Sequence, residues 1–333
     1  MKINHIYQGD CLSVIKTFDN ESIDCVITSP PYWQLRDYGW DGQWGLEPTY
    51  QMYLKNLWSL MDEIQRVLKK SGTVWFNLGD TYSTKSGGMA QGDAGNLGLK
   101  DDAFGKKGIK QPKLNIKDKC LLLIPHRFAI GCIDKGWIVR NDIIWAKRNG
   151  MPESVTDRFS KKHEYIFLMT KSTKYYFDLD GIRDKVSIES VKRELRGNRA
   201  TNKYAEGSEK PKGVHANTMS RERIYKGYND LDAVYLSKKG KNPGSVSDFW
   251  DIPTKPSSCK HYASYNNELI EKPIVAGCPK GGIVLDPFCG TATTGVRALQ
   301  LDRNFIGIEG SSEYVKIGNE LLDVERLQIK LEL

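Results

Sequence analysis

Short apolar runs bounded by Gly, Pro, Asp and Ser alternate with amphipathic stretches along most of the chain, a rhythm that predicts buried strands separated by helices. Ile3 to Tyr7 reads as a strand closing at Gly9-Asp10, Cys11 to Phe18 as a helix, and Ile23 to Ile27 as a buried strand running into Ser29. From Tyr50 to Lys70 the residues Leu57, Leu60, Met61, Ile64, Val67 and Leu68 fall on one helical face, and Ser71-Gly72 is expected to stop that helix. Thr73 to Leu78 is a third strand with Gly79-Asp80 at its end. Leu121 to Ile133 reads as a helix, Trp137 to Ala146 and Glu164 to Thr170 as strands, and Tyr175 to Leu179 as one more short strand. The tail runs helix (Asn267 to Ala276), strand (Ile283 to Leu285), glycine turn, helix (Thr294 to Leu301), strand (Asn304 to Ile308), Glu309, helix (Glu313 to Leu322). Strand, glycine turn, helix, strand and acid in that order make half of a mononucleotide fold, so the class is α/β.

Two stretches break the rhythm. Residues 83–119 hold seven Gly and eight Lys against four acids, which predicts a long mobile loop. Residues 183–248 lose hydrophobic periodicity and carry 15 Lys or Arg against 9 Asp or Glu, most of the chain's net charge of +8. Tyr204, Tyr225, Tyr228 and Tyr235 interleave with those cations, a mixture suited to phosphate contact with some base stacking. The expected division is therefore 1–182, 183–248 and 249–333.

Composition narrows the picture further. The 333 residues suffice for one large core, and the basic balance suits an anionic partner. Seven cysteines without a CxxC pair indicate neither a zinc site nor a disulfide framework. No window reads as a signal peptide or a membrane span, so a cytoplasmic protein is expected.

The chemistry lies in two islands at strand ends, Thr28-Ser29-Pro30-Pro31-Tyr32-Trp33 and Asp286-Pro287-Phe288-Cys289-Gly290-Thr291-Ala292-Thr293-Thr294-Gly295. Carboxyl ends of strands are where open α/β sheets bind ligands, so both islands should face one cleft. Gly290 permits close backbone approach, the following helix start offers amides to a carboxylate, and Glu309, about twenty residues on, is placed for ribose hydroxyls. A nicotinamide dehydrogenase would share the glycine turn, whereas the absence of Gly-Lys-Ser/Thr argues against a nucleotide phosphate loop. Asp286 adds a carboxylate for an ammonium, and ribose, carboxylate and ammonium together describe S-adenosylmethionine. In the first island, two prolines fix the backbone and aim carbonyls without donors. Ser29 and the Pro30 carbonyl can draw the hydrogens of a conjugated amine, leaving a nitrogen lone pair ready to attack a sulfonium methyl.

Together with Phe305-Ile306-Gly307-Ile308-Glu309, these islands resemble the SAM-dependent DNA amino-methyltransferases that modify cytosine N4 or adenine N6, in the motif order of their beta group. The resemblance implies a Rossmann-like sheet, mostly parallel with an antiparallel hairpin, circularly permuted and carrying an inserted target-recognition region. It also implies catalytic Ser29, Pro30, Pro31 and Tyr32, and cofactor contacts from Asp10, His261, Asp286, Phe288, Gly290, Thr291 and Glu309. Asp142 to Lys147 and Lys162 to Leu168 resemble the strands walling the target base, and Phe249 to Pro253 through His261 resembles the segment beneath the cofactor. Trp33, Arg193, Arg196, Arg199, Arg221 and Arg223 are the expected DNA contacts. Ala292 and Asn266 depart from the family pattern, which commonly has Gly and Pro there.

Serine before Pro-Pro-Tyr resembles the cytosine-N4 group, with adenine N6 as the alternative. Carbon-5 methylation is disfavoured because Tyr32 stands where that chemistry needs a cysteine. An inert methyltransferase-like DNA-binding module is the alternative of another class, and RNA or a protein amide the alternative substrates. The implied partners are double-stranded DNA with its target base flipped out, a second copy of the chain, and a separately encoded restriction endonuclease.

Overall fold

In the computed structural model, residues 1–40, 42–84, 112–150, 153–183, 246–254 and 267–332 are described. The chain forms two compact units, residues 1–178 with 248–333 and residues 179–247. The smaller unit is described only at its ends, where a 3-10 turn at Asp180–Ile182 precedes Arg183, ion-paired with Asp180 at 2.6 Å. The basic stretch read from the sequence, with Arg193, Arg196, Arg199, Arg221 and Arg223, lies outside the described residues, as do His261, Asn266 and most of 83–119.

The larger unit is built on one eight-stranded sheet. Its strands are β1 (His5–Gln8), β2 (Ile23–Thr28), β3 (Leu68–Leu78), β4 (Ile138–Ala146), β5 (His163–Thr170), β6 (Phe249–Asp251), β7 (Ile283–Asp286) and β8 (Asn304–Glu309). Their spatial order is β1-β8-β7-β2-β3-β5-β4-β6. The run from β1 to β3 is parallel, β5 turns antiparallel to β3 and to β4, and β6 rejoins parallel to β4. The expected Rossmann-like sheet with its hairpin is therefore present. Its permutation is visible as well: the first strand pairs with the last, Gln8 opposite Glu309. The chain winds outward from β7 to β8 on one side and from β2 to β3 on the other, so the crevice between β7 and β2 is the topological switch point.

Among the described residues six helices pack on the sheet: α1 (Cys11–Ile15), α2 (Tyr50–Val67), α3 (Ile124–Asp134), α4 (Asn267–Gly277), α5 (Thr293–Gln300) and α6 (Ser312–Glu332). Thr49 caps α2 by accepting Met52 N–H at 3.2 Å, and the helix buries Leu54, Leu57, Leu60, Met61, Ile64 and Val67. Every residue of β2 is buried, as suits a strand covered on both faces.

Three sequence expectations change, and a fourth segment finds its place. The helix from Tyr50 ends at Val67 rather than Lys70, and Leu68 opens β3, where its side chain fills the space that a Cβ on Gly72 would need. Tyr175 to Leu179 is no strand: two isolated backbone bonds, Tyr176 N to Ser71 O and Asp178 N to Ala276 O, tie it down instead. Phe249 to Asp251 forms the edge strand β6, where Trp250 stacks on Trp75, and the segment that continues from it toward His261 is described only as far as Thr254. The last helix continues well past Leu322, to Glu332.

Candidate active site

The two islands meet because β2 and β7 are neighbours. Thr28 ends β2 and donates to Asp286 Oδ1 at 2.8 Å, so the last residues of the two strands are hydrogen-bonded side by side. Asp286 also accepts from Thr294 Oγ1 at 2.8 Å and Phe288 N–H at 3.1 Å. Burial pushes its carboxyl up to about 6 despite those donors. Asp286 thus joins β2, β7 and α5, a binding task within the chain that comes before any contact with an ammonium.

Around this junction opens a cleft of about 730 Å³, within the roughly 300–1,000 Å³ range of small-molecule sites. Among the residues expected from sequence, Asp10, Ser29, Pro30, Pro31, Tyr32, Asp286, Phe288, Gly290, Thr291 and Glu309 all line it. At its β8 side, Glu309 Oε2 accepts Gly290 N–H at 3.0 Å and Oε1 accepts Ser311 N–H at 2.8 Å, while burial raises its carboxyl above the usual range. Asp10 caps α1 through Ser13 N–H at 2.9 Å and receives Trp44 Nε1–H at 3.2 Å. Phe288 packs edge to face against Trp44, with centroids 5.3 Å apart. Helix α5 begins without a side-chain cap, so its first-turn amides keep their capacity for an anion. Carboxylates, apolar rings and helix amides in one cleft fit a ligand carrying ribose, a purine, a carboxylate and an ammonium.

The β2 side has a different character. Tyr53 Oη donates to the Pro31 carbonyl at 2.8 Å and Gln34 N–H bonds Gly45 O at 2.6 Å, which pins the proline doublet and the chain beyond it. Tyr32 lies across Gly79, where a Cβ would come within 2.5 Å of Tyr32 Cε2. Its hydroxyl sits 2.7 Å from Glu164 Oε2 and 2.9 Å from Asn77 Oδ1, with Ser29 Oγ at 3.4 Å. Glu164 is in turn ion-paired with Lys147. Burial alone would raise the Glu164 carboxyl, but Lys147 and the Tyr32 hydroxyl outweigh it and hold it below the usual range. Lys161, hydrogen-bonded to the Asp80 carbonyl, is shifted down by burial.

Trp33 also lines the cleft, but its side chain is 1% exposed and its indole N–H donates to Glu47 O at 2.9 Å, so nearly all of it packs as core. Sequence reasoning missed Glu164 and Asn77 as partners of Tyr32, and Lys147 as the partner of Glu164. It also passed over Trp40, whose ring fills the space that a Cβ on Gly310 would need, and Trp44. The density of tryptophan just after Pro-Pro-Tyr was the available signal. Ala292 adopts the left-handed conformation at φ 66, is fully buried, and lies against Gly318 of α6.

A proline doublet and a glycine turn held at adjacent strand ends of a permuted Rossmann-like sheet define an amino-methyltransferase site. The DNA methylase family matches residues 23–320, and the chain belongs to that family. It is 35% identical to the type II methyltransferase M.Cfr9I of Citrobacter freundii over 97% of this chain and 87% of that one. It is 36% identical to M.SmaI of Serratia marcescens over 95% and 89%. Among solved structures, the cytosine-N4-specific PvuII DNA methyltransferase superposes with a TM-score of 0.58 at 16% identity, covering 98% of this chain and 94% of that one. A putative DNA modification methylase from Thermus thermophilus, solved in complex with S-adenosyl-L-methionine, gives 0.54 at 20% identity, covering 96% and 93%. At these identities the structural likeness speaks for the fold.

Proposed function

We propose that this protein is a DNA methyltransferase that transfers a methyl group from S-adenosylmethionine to the exocyclic N4 amine of a flipped cytosine. The observation that carries the reading is the hydrogen bond from Thr28 to Asp286, which holds the amine-directed island and the cofactor-directed island at one switch point. Glu309, Asp10 and Phe288, with the opening turn of α5, would hold the cofactor, whose sulfonium supplies an electrophilic methyl.

The chain's own part is to prepare the amine. An exocyclic amine conjugated with its ring has little lone-pair character. The Pro30 carbonyl and Ser29 Oγ accept its hydrogens and favour the tetrahedral nitrogen that can attack in line. Tyr32, seated against Gly79, offers a face for the extruded base. Extrusion from the duplex costs a few kcal/mol, offset by that stacking and by backbone contacts. Serine at position 29, a neutral hydroxyl acceptor before Pro-Pro-Tyr that resembles the cytosine-N4 group, supports N4 of cytosine over N6 of adenine. Membership of the DNA methylase family supports DNA as the substrate over RNA or a protein amide.

Nucleoside mass spectrometry of DNA treated with the purified protein and S-adenosylmethionine tests the reading. N4-methylcytosine is the expected product. N6-methyladenine would overturn the base assignment, and 5-methylcytosine the amine mechanism. DNA binding without transfer would favour the inert module.

A further inference from the structure

Phe159 is 96% exposed, the most exposed large apolar side chain among the described residues. Aromatic rings normally bury most of their surface, and one standing fully in water on a braced loop calls for a partner. The loop that carries it joins the antiparallel strands β4 and β5. Its base is closed by Lys147 N–H to Lys162 O at 2.8 Å and by Lys162 Nζ to Gly150 O at 2.5 Å. Nearer the ring, Arg158 pairs with Glu153 at 2.6 Å, lies 4.1 Å over the Tyr82 ring, and donates to the Phe159 carbonyl at 3.0 Å. The backbone beneath Phe159 is therefore anchored while its side chain points into solvent.

Position gives the exposure its meaning. Arg158 and Lys161, on either side of Phe159 in sequence, both line the cleft. With successive Cα atoms about 3.8 Å apart, the backbone that carries the ring runs beside the cleft's lining. From Lys147 to His163 the chain carries five Lys or Arg and two acids, a flank suited to a phosphate backbone. A base drawn out of a duplex leaves a gap in the stack, and proteins that open stacked bases hold such gaps with apolar side chains.

We propose that Phe159 is the wedge that enters the base stack of duplex DNA and occupies the space left when the target base swings into the cleft. The proposal rests on the DNA-methylating function argued above. It assigns the loop between β4 and β5 a role in extruding the base, separate from the groups that act on the amine.

The test uses the full-length protein, with the methylated position first mapped by sequencing treated plasmid DNA. Phe159→Ala and Phe159→Trp are assayed on a perfect duplex and on the same duplex with the base opposite the target replaced by an abasic site. Phe159→Ala should lose at least ten-fold in kcat/KM on the perfect duplex and less than two-fold on the abasic one, where the target is already unpaired. Phe159→Trp should stay within a few-fold of the parent on both. Equal losses on the two substrates, or no loss on the perfect duplex, would overturn the wedge. If the parent protein methylates no DNA at all, the functional reading itself fails; normal methylation by the parent with an unaffected Phe159→Ala removes only the wedge.

Discussion

Tyr32 Oη and Glu164 Oε2 lie 2.7 Å apart although 132 positions separate them in sequence, and the ion pair of Glu164 with Lys147 keeps the acceptor charged. The hydroxyl gives Tyr32 one orientation over Gly79, so Glu164 positions the platform on which the base is to stack. If that is its role, Tyr32→Phe and Glu164→Ala remove the same restraint. Each should lower kcat by about ten-fold, equivalent to about 1.4 kcal/mol, with cofactor affinity unchanged. The double variant should be no worse than either single one. Losses that multiply in steady-state kinetics would show two independent roles.

Asp286 titrates differently in the folded and unfolded chain. Its folded value of about 6 lies above the unfolded carboxylate value, so folding favours the protonated form. The stability from this group is whole below about pH 4 and is lost as pH rises through about 6. Asp286→Asn cannot ionise, so in the ligand-free protein it should gain on the parent as pH rises from 4 to 7, by an amount on the order of 3 kcal/mol. Urea unfolding of both proteins across that range measures the gap. A gap independent of pH would disprove the assignment.

Ala292 holds a left-handed backbone that costs a residue with a Cβ about 1–2 kcal/mol, yet its buried methyl contributes packing worth about 0.8 kcal/mol. Ala292→Gly should therefore change stability by less than about 1 kcal/mol. Because the methyl meets α6 and Ala292 is not among the cleft-lining residues, cofactor affinity should stay within about two-fold by calorimetry. Gly318→Ala is the opposite case. A Cβ there would sit 2.4 Å from Ile6 Cδ1 and 3.3 Å from Ala292 Cβ, and thermal unfolding should show a loss of about 1–3 kcal/mol.

Glu309 supplies both oxygens to the rim of the glycine turn. Glu309→Ala should weaken S-adenosylmethionine binding at least about ten-fold, the scale of losing one charge-assisted pair of hydrogen bonds. Titration calorimetry with the cofactor alone reads this without reference to DNA, and undiminished affinity would place the ribose elsewhere.

Much of this arrangement was legible in the residues. Ile23 to Ile27 and Ile283 to Leu285 announce themselves as buried strands because nothing polar enough to face water interrupts either beyond Asp24 and Cys25, and a Pro or Gly turn follows each. Ser29, Pro30, Glu309 and Gly290 then fall at strand ends by geometry alone. Leu68 misled because it continues the spacing of Ile64, and only the pairing of β3 with β2 reveals where the helix stops. Glu164 was legible as part of a strand but not as the partner of Tyr32. That pairing depends on β5 lying beside β3, and the register that sets Trp145 opposite Glu164 follows from a hairpin whose length the pattern does not fix. Trp33 shows the converse limit. An aromatic next to a catalytic motif reads as a base contact, whereas its indole N–H found a carbonyl inside the core.

The strand order also bears on how the protein is made. Strand β7 sits in the middle of the sheet, between β2 and β8, yet it is translated long after β2, with β3, β4, β5 and β6 made in between. A nascent chain carries β2 through most of synthesis with one flank open, a long-range closure of the kind that slows folding and leaves apolar strands vulnerable to wrong partners. On the ribosome, the methyl-accepting half waits for the half that grips the donor, and the cleft comes into being only with the final strands.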